Sequence, residues 1–287
     1  MKKVIKNSII VLLVTVLVLF FAIGCSKKAV DNGQTKARVS FRTLDEIKTS
    51  GTINIGVFSD KSPFGYVDEN GEYQGYDVYF ASRIGKDLGV KINYVSTEAA
   101  NRIEYLQTGK VDIILANFTV TPERVDFALP YMNVALGIVS PESSPITSLN
   151  EIKSDDEIIV ISGTTAETYL EKNYPNIKLQ KYDAYAEAKT AFENGNAVAW
   201  ANDNTEVIAF AIENPGYTVG IPSLGSQDTI APAVATGNIT LLNWLNDEIK
   251  SLGKENFFHK DYEATLLDTY GKEYEDTLVV EGGEIKK

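Results

Sequence analysis

The chain of 287 residues has a single cysteine, Cys25, and a single histidine, His259. One thiol cannot form an intrachain disulfide, and one His with one Cys cannot supply the ligand set of a usual zinc site. Basic residues are in short supply: Lys and Arg number 27 against 39 Asp and Glu, for a net charge of −12. That balance argues against nucleic acid or an anionic membrane surface as a partner. Long apolar runs are missing too, apart from Ile9 to Ile23 near the N-terminus, broken only by Thr15.

That run is shorter than the roughly 20 residues a membrane span needs. Lys2, Lys3 and Lys6 precede it, and Gly24, Cys25 and Ser26 close it, which is the order of an export signal. AIGC resembles the bacterial lipobox, with Ala22 where leucine is usual. Residues 1–24 are therefore expected to be a lipoprotein signal peptide and Cys25 the lipidated first residue of the mature chain. Loss of the three lysines takes the charge from −12 to −15. Residues 25–39 are polar and aperiodic and read as a tether, with a reach of about 20 Å if flexible. The rest is long enough for two cores.

Past the tether, strand-like and helical segments alternate. TINIGVF is a strand. GYVDENGEYQGYD is a hairpin turning at Glu69-Asn70-Gly71, and VYFASRIGKDLG is a helix stopped at Gly89. KINYVS, ANRIEYLQTG and VDIILA continue the series as strand, helix and strand. A second series follows: EIIVIS, GTTAETYLEKNYP, AYAEAKTAFENGN, AVAWA and NDNTEVIAFAIEN. This order predicts α/β lobes with mostly parallel sheets and a ligand crevice at the carboxyl ends of the strands. VALGIVSP and TIAPAVATG read as two strands crossing between the lobes, before helices such as ITLLNWLNDEIKSLG return to cover the first sheet. The expected bounds are 40–137 for lobe 1, 138–230 for lobe 2 and 231–281 for the return to lobe 1.

Three strand ends carry candidate chemistry. In NFTVTPER, Asn117, Phe118 and Thr119 follow a strand. Thr121 suits an N-cap, Pro122 a first helical position and Arg124 a first turn, together a site for an anionic group. Gly163, Thr164 and Thr165 form a second helix N-terminus, where capping alone would explain the threonines. Asp203 falls between the strand AVAWA and a helix, and either caps that helix or takes a cation. Arginine on one lobe and aspartate on the other would match the carboxylate and ammonium of a zwitterion.

GYDV, KVDIILANFTVTPER, FALPY and SGTTAE, with the position of Asp203 and the element order, resemble the extracytoplasmic solute-binding proteins of ABC importers, specifically the polar amino-acid family. The resemblance covers about residues 40 to 281. It implies the two-lobed periplasmic-binding-protein-like fold of type II, no cofactor and no metal. It also implies a monomer anchored outside the cell membrane that serves ABC permease subunits. By position, Arg124, Thr119 and the Asn117 loop would hold the ligand α-carboxylate, Thr164 and Thr165 would add to it from lobe 2, and Asp203 would take the ammonium.

Within the family, GVFSDKSPFGYVDENG, EAANRIEYL, IAPAV, FFHKDYEATL and VVEGG look most like the cysteine-binding branch. Phe58 and Lys61 stand where binders of basic amino acids place an acid and a stacking tyrosine, which disfavours Lys, Arg and His as ligands. Arg102 aligns with an arginine that reads the side-chain carboxylate in aspartate/glutamate-binding relatives, so that ligand class stays open, as does a solvated helix residue. For Lys61 the default is a surface loop lysine. An enzyme resembling the cyclohexadienyl dehydratases of this fold would need a tuned acid or base in the cleft. Glu98 and Glu167 are spare carboxylates for such a role, whereas His259 reads as a surface or packing residue. A sensor domain would need an apolar span or an attached signalling module, and the sequence has neither beyond residue 41.

Overall fold

The first helix, α1 (Leu44–Ser50), is set by a reciprocal cap: Thr43 accepts the Glu46 N–H while the Glu46 carboxylate accepts that of Thr43. The structure, a computed structural model, describes residues 40–122 and 124–285. The expected signal peptide, tether and lipidation site at Cys25 lie outside them. No helix among the described residues is long and apolar enough to cross a membrane.

From β1 (Thr52–Val57) the chain enters a small antiparallel sheet, β2 (Asp60–Lys61), β3 (Gly65–Val67) and β4 (Tyr73–Gln74). The hairpin turns where expected: Asp68 accepts the N–H groups of Asn70 and Glu72, and Gly71 takes φ 84°. Next, α2 (Tyr76–Leu88) buries Val78, Phe80, Ala81, Ile84 and Leu88 along one face and stops at Gly89 in the left-handed region. Then come β5 (Lys91–Ser96), α3 (Arg102–Gln107), β6 (Ile113–Ile114) and β7 (Val125–Phe127).

The helix expected at Thr121 is not formed among the described residues. Val125 to Phe127 are instead pulled into β7, which pairs antiparallel with β13 (Ala233–Ala235), and Val125 faces the core. A ladder with a strand more than a hundred residues away overrides the local capping signal. The first sheet reads β5-β1-β6-β13-β7, with β1 parallel to β5 and β6.

The second sheet reads β10-β9-β11-β8-β12, built from β8 (Met132–Pro141), β9 (Glu157–Ile161), β10 (Lys178–Tyr182), β11 (Ala199–Asp203) and β12 (Tyr217–Ile230). Its crossovers are α4 (Thr165–Asn173) and α5 (Tyr185–Glu193), and α6 (Asn204–Glu213) leads from β11 to β12. The two crossing strands are present. β8 and β12 run side by side, with Met132 opposite Ile230, Asn133 opposite Thr229 and Val134 opposite Asp228. The chain then returns through β13, and α7 (Ile239–Gly253) lays Leu241, Leu245, Ile249 and Leu252 on the first lobe's core. The helices α8 (Phe257–Thr265), α9 (Leu267–Tyr270) and α10 (Glu275–Leu278) complete that side. The result is two α/β lobes joined by a pair of neighbouring strands, with the chain returning to the first lobe, as the resemblance implied.

One buried apolar cluster has members in both sheets: Phe58, Ile114 and Phe118 share it with Tyr185, Phe192 and Trp200. The Phe58 and Tyr185 rings meet edge-on at 5.1 Å. The lobes are therefore in apposition, and the cleft between them is closed.

Candidate functional site

The floor of the cleft is the turn after β6. Asn117 adopts φ +43°, a conformation that L-residues take at a cost unless something holds it. Asp77, at the start of α2, holds it by accepting the Asn117 N–H at 2.8 Å and the Tyr131 hydroxyl at 2.5 Å. Burial pushes the Asp77 carboxyl up to about 6, against the pull of those two bonds and of Lys61 and Arg102. Phe118 and Thr119, both buried, follow on the turn.

Arg102 opens α3 and is 5% exposed. Its guanidinium donates from Nε to Ala99 O (3.0 Å), from Nη1 to Ala116 O (3.1 Å) and Asn117 O (3.3 Å), and from Nη2 to Gly163 O (3.1 Å) on the other lobe. It lies over the Phe118 ring at 4.0 Å. Desolvation draws its pKa below the usual range. Among the described residues it takes part in no ion pair: its hydrogen bonds all go to backbone carbonyls, and the charges of Asp203 and Asp77 act on it without direct contact. The solvated helix residue is ruled out.

Lobe 2 contributes the start of α4. Thr164 caps that helix, accepting the Glu167 N–H at 3.3 Å and donating to Ile161 O at 2.7 Å, so its hydroxyl is committed to capping. Glu167 in turn accepts the Gly163 N–H at 2.7 Å and pairs with Lys181 at 2.7 Å, which occupies one of the two spare carboxylates. Between the lobes is a cavity of about 480 Å³ whose walls include Arg102, Phe118, Thr119, Thr121, Thr164 and Thr165. Its size suits a small ligand.

Beside it is an ion pair across the cleft. Lys61, expected as a surface lysine, is 1% exposed. Its ammonium donates to Asn117 Oδ1 at 2.8 Å and to Asp203 Oδ2 at 3.3 Å, among the rings of Phe58, Phe64 and Tyr185 at 4.8–5.6 Å. Burial alone would lower its pKa, yet Tyr185, Asp203 and Glu206 more than offset that and hold the ammonium charged. Lys61 is drawn inside because a buried carboxylate needs a counter-ion, and β2 brings one over Asp203. Asp203 stands at the N-cap position of α6 but makes no side-chain cap bond. Capping thus does not account for this aspartate.

The fold brings together Phe58, Lys61, Arg102, Asn117, Phe118, Thr119, Thr164, Thr165 and Asp203. It does not bring Arg124 to the cavity wall: that residue is exposed on the loop leading to β7. Asp77, Tyr185 and Glu206 were not anticipated as members. GYDV flagged the first as part of a motif, while nothing local marks the other two. His259 is remote from the cavity walls, its Nδ1 2.6 Å from Glu281.

A model of the bacterial extracellular solute-binding proteins, family 3, matches residues 53–264. The ABC transporter glutamine-binding protein of Bacillus subtilis (strain 168) is 27% identical over 276 residues, spanning 93% of this chain and 98% of the relative. Two solved structures are nearer in sequence. The solute receptor for L-cysteine of Neisseria gonorrhoeae is 49% identical, with a TM-score of 0.81 over 84% of this chain and 100% of that one. The cysteine-binding protein from Campylobacter jejuni is 47% identical, with a TM-score of 0.81 over 83% of this chain and 98% of that one. These relatives are transport-associated binding proteins rather than enzymes.

Proposed function

This chain belongs to the bacterial extracellular solute-binding proteins of family 3, and we propose that it captures free L-cysteine for an ABC importer. The observation that carries the ligand is the 47–49% identity to two cysteine-binding proteins, well above the 27% shared with a glutamine-binding one. The site is consistent with it. Lys61 and Arg102 are both buried in the cleft, so a cationic ligand side chain would meet like charge there.

In this reading residues 1–24 are removed, Cys25 is lipidated, residues 25–39 tether the domain to the outer face of the membrane, and the mature protein works as a monomer. The lobes divide at 40–137, 138–230 and 231–281. Ligand settles first on lobe 1, with Thr119 and the Asn117 turn beneath its carboxylate, and Arg124 swings in from the loop before β7 to clasp that group. Thr165 and Asp203 engage from lobe 2, Asp203 taking the ammonium. Contacts made only in the closed form shift the population toward it, and a permease reads the apposed rims. A micromolar dissociation constant, about −8 kcal/mol, suits a carrier that must also release.

One feature favours a second ligand class. A buried Arg102 without a carboxylate partner among the described residues would suit an acidic side chain, and hence aspartate or glutamate. Calorimetric titration separates the readings. The domain begun after Cys25 is stripped by unfolding and refolding, then titrated with cysteine under reducing conditions, cystine, serine, aspartate, glutamate, glutamine and arginine. Cysteine alone binding tightly is the expected result. A preference for aspartate or glutamate would move Arg102 to the centre of recognition, and silence across the panel would refute amino-acid capture.

A further inference from the structure

Glu206 acts on Lys61 through its charge alone and makes none of the hydrogen bonds above. It lies in the first turn of α6, one helical turn beyond Asp203, and is buried, yet its Oε2 lacks any hydrogen-bond partner. The charged and titratable groups acting on it are Lys61 from β2, Asp203 from β11, Glu213 at the far end of α6, Lys189 and Tyr185 from α5, and Tyr270 from α9. Burial raises the Glu206 carboxyl to about 7, Lys61 draws it down, and Asp203 and Glu213 push it up. Lys61 bonds Asp203 rather than Glu206. One ammonium therefore serves two buried acids, and the acid left over is the one with the orphaned oxygen.

A zwitterionic ligand changes this balance. Its ammonium, brought to Asp203, makes two cations at a pole that holds two carboxyls. The pole is neutral only if both carboxyls are ionised, and a free Oε2 on Glu206 is available to accept from Lys61. We propose that Lys61 is the resident counter-ion of Asp203, that an incoming ligand ammonium displaces it onto Glu206, and that Glu206 loses its proton to solvent as this happens. Lys61 then sets a threshold for ligands: a molecule without an ammonium cannot displace it. The inference rests on the reading that the ligand ammonium goes to Asp203.

The test needs no variant to begin. The full chain in detergent is titrated with L-cysteine under reducing conditions at pH 6.0, 6.5, 7.0 and 7.5, each in two buffers of different ionisation enthalpy. The expected heats differ between buffers by up to one proton released at pH 6.0, and the difference narrows toward pH 7.5 as Glu206 becomes ionised in the free protein while the cysteine thiol is still largely protonated. Affinity should rise with pH over the same range, by at most about tenfold per unit. Glu206→Gln, which keeps the shape, should bind L-cysteine with no buffer dependence and a flat profile. Binding without proton release in the wild type overturns the proposal and leaves the transport reading intact. Release that persists in Glu206→Gln also overturns it and places the proton on another group. If no amino acid of the panel binds, the transport reading itself fails and this inference with it.

Discussion

The Asp77 carboxylate accepts the N–H of Asn117 at 2.8 Å and so fixes a cleft residue at φ +43°. The same carboxylate accepts from Tyr131, so two segments of lobe 1 are tied at one buried point. Asp77→Ala leaves both donors without an acceptor, and the Asn117 turn is free to relax. We expect ligand affinity to fall at least tenfold and the ligand-free melting temperature to drop, with a stability loss of about 2–3 kcal/mol. Calorimetry with parallel thermal melts checks this, and unaltered affinity would show that the turn holds its shape without Asp77.

Arg124 and Arg102 are separated by a paired substitution. Arg124 is exposed on its loop, so Arg124→Ala should leave the ligand-free melting temperature unchanged and weaken binding by at least ~2 kcal/mol. Arg102→Ala removes the donor to four carbonyls and should lower both. Undiminished affinity in Arg124→Ala would hand the ligand carboxylate to Arg102.

Gly163 sits tight against the opposite lobe. It takes φ +76°, and a Cβ there would lie 2.5 Å from the Ala100 Cα on the opposite lobe. Gly163→Ala should therefore hold the cleft ajar. Small-angle scattering is expected to show a larger radius of gyration, unchanged by ligand, with affinity reduced at least tenfold through the smaller closed population. A variant that still compacts on ligand addition would place the limiting contact elsewhere.

Three buried acids make ligand-free stability depend on pH with a definite sign. Burial raises Asp77 to about 6, Glu206 to about 7 and Asp261 well above its usual value. Each keeps a proton in the folded chain at a pH where the unfolded chain has lost it. Their contribution is thus fully present below about pH 4 and is lost as pH rises through the folded values. Glu206→Gln should match the wild type near pH 5 and exceed it at pH 8 by on the order of 2 kcal/mol. Denaturant melts at the two pH values decide it, and an equal difference at both would show that Glu206 does not titrate there.

Much of the architecture was legible because its signals are local. Gly89 ends α2, Asn70-Gly71 turns the hairpin, and Thr164 caps α4, each through neighbours in the chain. The misread segments answer to distant partners. Thr121 and Pro122 look like a helix start, but Val125 pairs with Ala235 and the segment becomes strand. β12 was read only at its end because YTVGIPSLGSQD is half exposed, broken by Gly and Pro, and paired with β8 through register shifts. In the site, Asp203 could be picked out as a lone acid at a strand end. Lys61 could not, since its partners lie 56 and 142 residues away and its own loop is polar.

The two strands that join the lobes are bonded to each other, Met132 to Ile230 and onward. A single cord between two bodies would let them swing, twist and slide. A ribbon two strands wide resists twisting and sliding, because either would shear its ladder, and bending across the ribbon remains its soft mode. Closure is thereby confined to one path with one endpoint. If a permease receives the cargo as proposed, rims that always arrive in the same relation would let it register that the path was completed without touching the cargo.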